Sequence, residues 1–213
     1  MSHKSIIAPE GLPFIIAAGV LTLVLSGFCF LKTAAFTLAA TLFIAWFFRN
    51  PERKIPTDRG AVVSPADGKV IKIEEARRDD LASGSFLKIS IFMNVFNVHV
   101  NRIPYSGTIK LIRYTKGRFI SANLDKAAAE NEQNAIVIAM DKGREIITVQ
   151  IAGLIARRIV CWIKEGMPVA KGERFGLIRF GSRLDVYLPP ETSITVKLGD
   201  KVRSGETILG ELP

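Results

Sequence analysis

The sequence predicts a mainly β protein, in which a sandwich- or barrel-like domain of short strands with few helices follows an N-terminal apolar helical hairpin. Two observations support this prediction. Two long uncharged runs fall within the first 48 residues, and beyond residue 60 short β-branched runs alternate with Gly, Pro, Asp or Asn, a layout typical of all-β domains. Residues 120–133, which are rich in Ala and Glu, are the exception and predict a helix or an ordered loop.

The first 48 residues predict a membrane-anchoring helical hairpin. Residues 11–31 carry no charge and match the roughly 20 apolar residues that cross a bilayer, while residues 33–48 form a second, shorter run. Trp46 suits the interfacial aromatic belt, and the basic residues within 49–54 predict a cytoplasmic end by the positive-inside rule. A hairpin then leaves the following domain at the cytoplasmic face of the cell membrane. The alternatives are a signal peptide, because Lys4 precedes an apolar run, and a buried helical pair of a soluble protein.

Residues 49–60 are polar and contain Pro and Gly, so we expect a basic linker there and a separate β domain over residues 61–213. The runs that predict strands in this domain are GKVIKIEE, FLKISIFMNVFNVHV, GTIKLIRYT, NAIVIAM, REIITVQIAG, IARRIVCWI, DVYLP and SITVKLG.

The formal net charge of +9 favours an anionic partner. Nucleic acid is not supported, because the sequence has no zinc-finger spacing, no RNP-like aromatic pair and no long Lys/Arg tract. An anionic membrane surface agrees with the apolar runs. Cys29 and Cys161 lie in such different settings that we expect two free thiols in a reducing compartment.

Three short stretches of the β domain could carry chemistry, and each also has a simpler structural explanation. Asp67-Gly68 suits a tight turn, His99 suits an inward-facing strand position, and Gly181-Ser182 suits a bend where a strand begins. One histidine and two separated cysteines make no zinc set. A Ser-His-Asp arrangement stays open, because its members need not be close in sequence.

Taken together, four stretches resemble the short form of the phosphatidylserine decarboxylase family. The most specific is RFGSRLDVYLP at residues 179–189. SPADGKV at 64–70, HVNR at 99–102 and AGLIARRIVCW at 152–162 occur in the order that the family has. The resemblance runs from the apolar pair to nearly the last residue.

The resemblance implies an enzyme that makes its own cofactor. The proenzyme would cleave itself between Gly181 and Ser182 into a β chain, residues 1–181, and an α chain, residues 182–213, with Ser182 converted into a pyruvoyl group. The two chains would remain a heterodimer. The pyruvoyl would form a Schiff base with phosphatidylserine in the membrane and release phosphatidylethanolamine, with no metal and no nucleic acid involved. A homo-oligomer is left open.

The residue types suit this chemistry. The Ser182 hydroxyl must attack the Gly181 carbonyl carbon, and glycine there removes a Cβ that would obstruct the attack. A hydroxyl needs a neighbouring base, which the resemblance assigns to His99 with Asp67 as its orienting carboxylate. The long bacterial form has a second histidine where this chain has Arg102, which cannot act as a base. Either His99 serves both self-cleavage and decarboxylation, or self-cleavage is arranged differently.

Arg157 and Arg158 are candidates for the substrate phosphate or carboxylate, because they lie in one of the matched stretches. Strand neighbours face opposite sides, so at most one of the two points into a given pocket. A solvated face is the alternative.

Two other functions stay open at this point. One is a membrane-anchored β-domain adaptor without catalysis. The other is the same chemistry on another serine-headed lipid, such as archaetidylserine.

Overall fold

The computed structural model describes residues 5–122, 130–154, 158–179 and 181–213. It divides into two units, one ending at Glu52 and the other running from Arg53 to Pro213. As predicted, the protein is mainly β, with 42% strand and 20% helix, and two N-terminal helices precede a curled sheet that forms a half-barrel.

The N-terminal unit is a pair of apolar helices. A short 3-10 turn (Pro9–Gly11) leads into α1 (Leu12–Gly27), and α2 (Leu31–Phe47) returns after a tight turn in which Cys29 has a positive φ of 59°. The Thr22 hydroxyl donates to the Thr37 hydroxyl at 3.0 Å across the pair. The segment Pro9–Gly27 is long and apolar enough, by length and composition, to cross a membrane.

Both ends of this helical pair lie side by side. The Ala8 N–H donates to the Phe48 carbonyl at 2.8 Å, and Ile7 forms a bridge with Arg49. The Arg49 guanidinium stacks over the Trp46 ring, 3.8 Å from its centroid, so an aromatic ring and a cation occupy the same end.

The second unit consists of strands with one further 3-10 turn (Asp141–Gly143). Its described strands are β1 (Ala61–Val63), β2 (Gly68–Arg78), β3 (Ala82–Met93), β4 (Val100–Arg102), β5 (Gly107–Thr115), β6 (Gln133–Ala139), β7 (Glu145–Ala152), β8 (Ile159–Cys161), β9 (Pro168–Val169), β10 (Arg174–Ile178), β11 (Ser182–Leu188), β12 (Ser193–Ile194), β13 (Lys201–Val202) and β14 (Ile208–Glu211).

The described strands form three antiparallel sheets. The largest has eight strands in the order β13-β2-β3-β11-β7-β6-β5-β9, and two three-stranded sheets have the orders β4-β10-β8 and β1-β14-β12. The large sheet curls, so that the Arg113 side chain of β5 donates to the Asp80 carbonyl in the β2–β3 turn at 2.6 Å. Strand β11 is paired along both sides and buried at every residue.

Alternation along β11 divides the core into two clusters. Leu184, Val186 and Leu188 point into the larger cluster, which also includes Phe175 and Ile178 from β10 and which we call the inner core. Tyr187 points to the opposite face, where a smaller cluster forms around residues of β6 and β7. The fold therefore holds β11 from both faces as well as from both edges.

The structure corrects one predicted strand and adds several. FLKISIFMNVFNVHV was expected as one run, but β3 ends at Met93 and β4 begins at Val100 in another sheet. Asn94 and Asn97 cause the break, because their side-chain oxygens accept backbone N–H groups at 2.9 Å and stabilise a turn. Strands β1, β9, β10, β13 and β14 were not predicted, and most are too short to show alternation. The expected helix or loop at 120–133 lies largely outside the described residues, and β6 begins at Gln133.

A buried ion pair lies on β11 beside Ser182. Arg183 Nε and Nη2 bind the Asp185 carboxylate at 2.6 and 2.7 Å, and the two side chains are 1% and 0% exposed. Removing one partner of such a pair leaves the other charge buried and uncompensated, away from water.

We therefore expect Asp185→Ala to lower the free energy of unfolding by about 3–5 kcal/mol, because Arg183 is left uncompensated. Denaturant unfolding in detergent measures this loss. The matched control is Glu130→Ala, which removes the exposed Arg118–Glu130 pair at 3.5 Å and should cost less than about 1 kcal/mol. Equal losses of unfolding free energy in the two variants would contradict the conclusion that the buried pair contributes more to stability than the exposed one.

Candidate active site

Ser182 is the first residue of β11 and lies between the ends of two neighbouring strands. It pairs with Met93, the last residue of β3, and with Ala152, the last residue of β7. The side chain is fully buried, and its Oγ has no hydrogen-bond partner among the described residues. A buried hydroxyl without a partner costs about 1–3 kcal/mol. Such a group calls for an explanation, and a reactive role is one.

The carbonyl group of Gly181 lies against the backbone of Gly153. A Cβ built at position 153 would overlap the Gly181 carbonyl oxygen and lie 3.1 Å from the carbonyl carbon. Among the described residues beyond its chain neighbours, a Cβ built at Gly181 would meet the Met93 carbonyl oxygen, at an ordinary 3.8 Å. That a side chain at 181 would obstruct the attack of its neighbour Ser182 stays a prediction, and Gly153 is a further position at this site where a side chain has no room.

His99 is buried immediately before β4. Its carbonyl oxygen accepts the N–H of Ile178 at 3.4 Å, and Ile178 ends β10, the strand that leads into Gly181 and Ser182. The His99 Nδ1 lies 3.0 Å from the Asn97 carbonyl oxygen. Because a carbonyl only accepts, this contact favours a proton on Nδ1 and leaves the lone pair of the neutral ring on Nε2. In this tautomer the neutral ring can accept a proton at Nε2.

Arg102 leaves β4 on the face opposite to Asn101 and His99, as strand alternation requires. Its Nη1 donates to the Gly172 carbonyl at 2.8 Å, and its aliphatic stem packs against Gly205. Arginine at this position therefore contacts backbone on the far side of β4, while Asn101 reaches Met93 Sδ at 3.7 Å, next to Ser182.

Asp67 is buried, but its described hydrogen bonds do not go to His99. Arg53 Nη2 lies 3.0 and 2.8 Å from its two carboxylate oxygens, and the Ser204 N–H donates to Oδ1 at 2.8 Å. The direct Asp67–His99 contact expected from the sequence is thus replaced by contacts to the preceding segment and to the C-terminal segment. The reason is a competing cation, Arg53, which the sequence analysis had assigned to the linker. A catalytic role for Asp67 stays a prediction.

Glu206 belongs to the same group of charged side chains as Asp67, because Arg53 pairs with both carboxylates. Burial raises the pKa of the Glu206 carboxyl, but the hydrogen bond from the Lys54 N–H and the charge of Arg53 outweigh it and leave the pKa below its ordinary value. A carboxyl whose pKa is lowered by folding stabilises the fold above its unfolded pKa and loses that contribution as the pH falls through the lowered one.

Of the two candidate substrate arginines, Arg158 is among the described residues. Arg157 lies outside the described residues. Arg158 is exposed, and its carbonyl accepts the Arg179 N–H at 3.1 Å, which joins its segment to the one that precedes Gly181.

A chain of buried amides was not predicted from the sequence. Asn134 Nδ2 donates to Gln150 Oε1 at 3.0 Å, and Gln150 Nε2 donates to Asn101 Oδ1 at 2.8 Å. Gln150 is opposite Leu184 on β11, so the chain crosses the inner core close to Ser182. The available signal was a polar residue within each of the apolar runs QNAIVIA and IITVQIA.

The two cysteines and the groups that could bind a metal are the other candidates for chemistry among the described residues. Both cysteines are free thiols, as predicted, and burial raises the pKa of the Cys161 thiol, which keeps it protonated. Among the described residues, no group of three His, Cys, Asp or Glu side chains is placed to hold a metal ion.

Comparisons with known proteins identify the class of protein that this fold and site define. The sequence model of the family described as phosphatidylserine decarboxylase matches residues 40–210. A phosphatidylserine decarboxylase proenzyme of Syntrophus aciditrophicus is 58% identical over 99% of both chains. Proenzymes of the same name from Desulfotalea psychrophila and Burkholderia pseudomallei are 53% and 48% identical, and each alignment covers at least 96% of both chains.

The names of these relatives describe decarboxylases that are made as proenzymes, and a decarboxylase is a carboxy-lyase. The chain belongs to the phosphatidylserine decarboxylase family, which confirms the resemblance found in its sequence.

Proposed function

We propose that this protein decarboxylates phosphatidylserine to phosphatidylethanolamine by means of a pyruvoyl group that it makes from Ser182. The observation that carries the proposal is the buried Ser182 hydroxyl without a described partner, adjacent to the Gly181 carbonyl. Both residues fall inside the span matched by the family. The residues present therefore fit a pyruvoyl group at position 182.

Self-cleavage uses this chain's own atoms. The Ser182 Oγ loses its proton and bonds to the Gly181 carbonyl carbon, the C–N bond breaks, and an ester joins the two residues. Loss of the Ser182 α-proton then breaks the Cβ–O bond and leaves Gly181 as a carboxylate. The resulting dehydroalanine takes up a proton at Cβ and becomes an imine, and addition of water then releases ammonia and leaves a ketone at the start of β11.

His99 serves as the base in this step. Its Nδ1 contact to the Asn97 carbonyl supports a lone pair on Nε2, and its backbone is bonded to Ile178 on the approach to Ser182. Arg102 leaves β4 on the other face, so His99 acts in both self-cleavage and decarboxylation. Asp67 supports the site at a distance, by fixing the segment around Ser204.

In decarboxylation a pyruvoyl group supplies a ketone that condenses with the substrate amine and withdraws electrons as CO₂ leaves. His99 then donates the proton that replaces the carboxylate. Arg158, which is exposed, and Arg157 are the proposed partners of the substrate phosphate or carboxylate.

The helical pair anchors the protein at the cytoplasmic face of the cell membrane. Its apolar segment Pro9–Gly27 has the length and composition to insert, and Arg49 over Trp46 suits the interface. The fragments 1–181 and 182–213 stay together as a heterodimer, because β11 is paired on both edges with strands of the larger fragment.

The test of the proposal is the covalent state of the purified protein. Intact mass spectrometry should find residues 1–181 and 182–213 as separate chains, the smaller one lighter than a serine-started peptide by one ammonia. Ser182→Ala should remain whole and inactive, because it lacks the nucleophile. An uncut wild-type chain from active cells would refute the proposal and favour an adaptor. Assaying extracts of diacyl and ether lipids separates phosphatidylserine from archaetidylserine as substrate.

The assignment of the base predicts opposite results for two neighbouring substitutions. His99→Gln should slow self-cleavage by about 10²–10⁴-fold, the usual contribution of a general base. Arg102→Met should leave the rate within a few-fold of wild type, since the Arg102 side chain leaves β4 on the face opposite to His99 and donates to the Gly172 carbonyl there. Time-resolved gel analysis of freshly translated chains measures both, and the reverse ranking would remove His99 from this role.

A further inference from the structure

The edge of the large sheet that contains Ser182 carries exposed apolar side chains. We call it the active-site edge, where β3 and β7 end and β11 begins. Phe96 follows β3 and is 63% exposed, Leu154 follows β7 and is 65% exposed, and Tyr114, near the end of β5, is 51% exposed. Phe96 and Leu154 thus emerge on the two sides of Ser182.

Exposed cations lie at the same edge. Strand β5 ends beside the first residue of β6, which in turn pairs with β7 next to Ala152. Lys116 and Arg118 follow β5 directly and are exposed. Arg158 is exposed near Leu154. The described carboxylates here are Glu130, which pairs with Arg118 at 3.5 Å, and Glu132, so the described cations outnumber the anions.

We propose that the active-site edge docks on an anionic lipid surface, with Phe96 and Leu154 inserted among the lipids. This inference rests on the proposed function. Apolar side chains that share one end of a sheet with exposed Lys and Arg match the chemistry of an anionic bilayer surface, which offers acyl chains beneath phosphates and carboxylates. A head group would then reach the buried residue 182 while its acyl chains stay in the bilayer.

The experiment compares two forms of the same substrate. Phe96→Asp/Leu154→Asp in the full chain should lose about tenfold or more of its activity on phosphatidylserine vesicles and keep its activity on monomeric short-chain phosphatidylserine. Met167→Asp is the matched control, because Met167 is 38% exposed at the opposite edge of the sheet, and it should keep both activities.

Each outcome decides the question. A double variant that keeps both activities, or that loses both equally, overturns the docking surface. Wild type that acts on neither substrate form overturns the proposed function instead. Activity on monomeric lipid also reports that the variant folds and processes itself.

A different observation, the crowding at Gly153, carries a second inference. Gly153 has no positive φ, so its backbone itself would accept alanine. The obstacle is space, because a Cβ would overlap the Gly181 carbonyl oxygen on one side and lie 3.3 Å from the Ala122 Cβ on the other. Real Cβ atoms essentially never approach within 3.0 Å of such neighbours.

We infer that Gly153 is a positioning residue for self-cleavage, which again presupposes the proposed function. It lets the backbone after β7 hold the scissile carbonyl in the orientation that the Ser182 hydroxyl attacks. A side chain at 153 would displace that carbonyl, and a displacement of about 1 Å can reduce a rate by about 10²-fold.

Gly153→Ala should therefore fold with a near-normal melting temperature and cleave itself about 100-fold more slowly than wild type. Gly107→Ala is the matched control, because its Cβ would also overlap a backbone carbonyl oxygen, that of Ala139, at the other end of the sheet. That variant should cleave at the wild-type rate. Adding Ala122→Gly to Gly153→Ala makes room beside the new methyl and should restore part of the rate.

Cleavage of Gly153→Ala at the wild-type rate would overturn this role. An unfolded Gly153→Ala beside a folded Gly107→Ala would also overturn it, since the glycine would then serve the fold. Failure of the wild type to cleave counts against the proposed function and not against Gly153.

Discussion

Strand β11 must hold the backbone of Ser182 in place while leaving its hydroxyl available for reaction, and most of the structure follows from these two requirements. Its ladders with β3 and β7 continue up to Ser182, so the serine backbone is held as rigidly as any in the core. Yet its hydroxyl is given no described partner, and the neighbouring carbonyl lies against a glycine that has no side chain. Rigid backbone and unused polar groups together make a position where a reaction can be directed.

The polar groups around this position are arranged by face. On the inner face, the amides of Asn101, Gln150 and Asn134 satisfy one another. On the opposite face, Arg183 and Asp185 neutralise each other without water. These groups are paired with one another, whereas the buried Ser182 hydroxyl, like those of Ser90 and Thr148 on the neighbouring strands, has no hydrogen-bond partner among the described residues. The cost of such a network is met only if every member is bonded.

The sequence predicted the fold class, the helical pair and most of the long strands, because alternation and apolar length are local properties. It missed β10 and β14, whose pairing depends on partners distant in the chain, and it joined β3 to β4 across an asparagine turn. At the site, local motifs predicted Gly181, Ser182 and His99 as the reacting residues, and the structure describes all three. Asp67 was expected beside His99, but a strand-turn motif does not reveal which cation folds back onto it, and Arg53 does so from outside the motif. Gly153 carries no chemical signal at all, since its importance lies in the space next to another residue.

The burial of Ser182 has a consequence for the lifetime of the protein. A break in a polypeptide ordinarily creates two loose ends that exopeptidases can grip and that begin unfolding. Here the new end at residue 182 would lie fully buried at the head of a strand paired on both edges, and the other end of the same fragment is held by the pairing of β14 with β1. Cleavage would therefore leave the smaller fragment with no loose new end at residue 182 for an exopeptidase to reach.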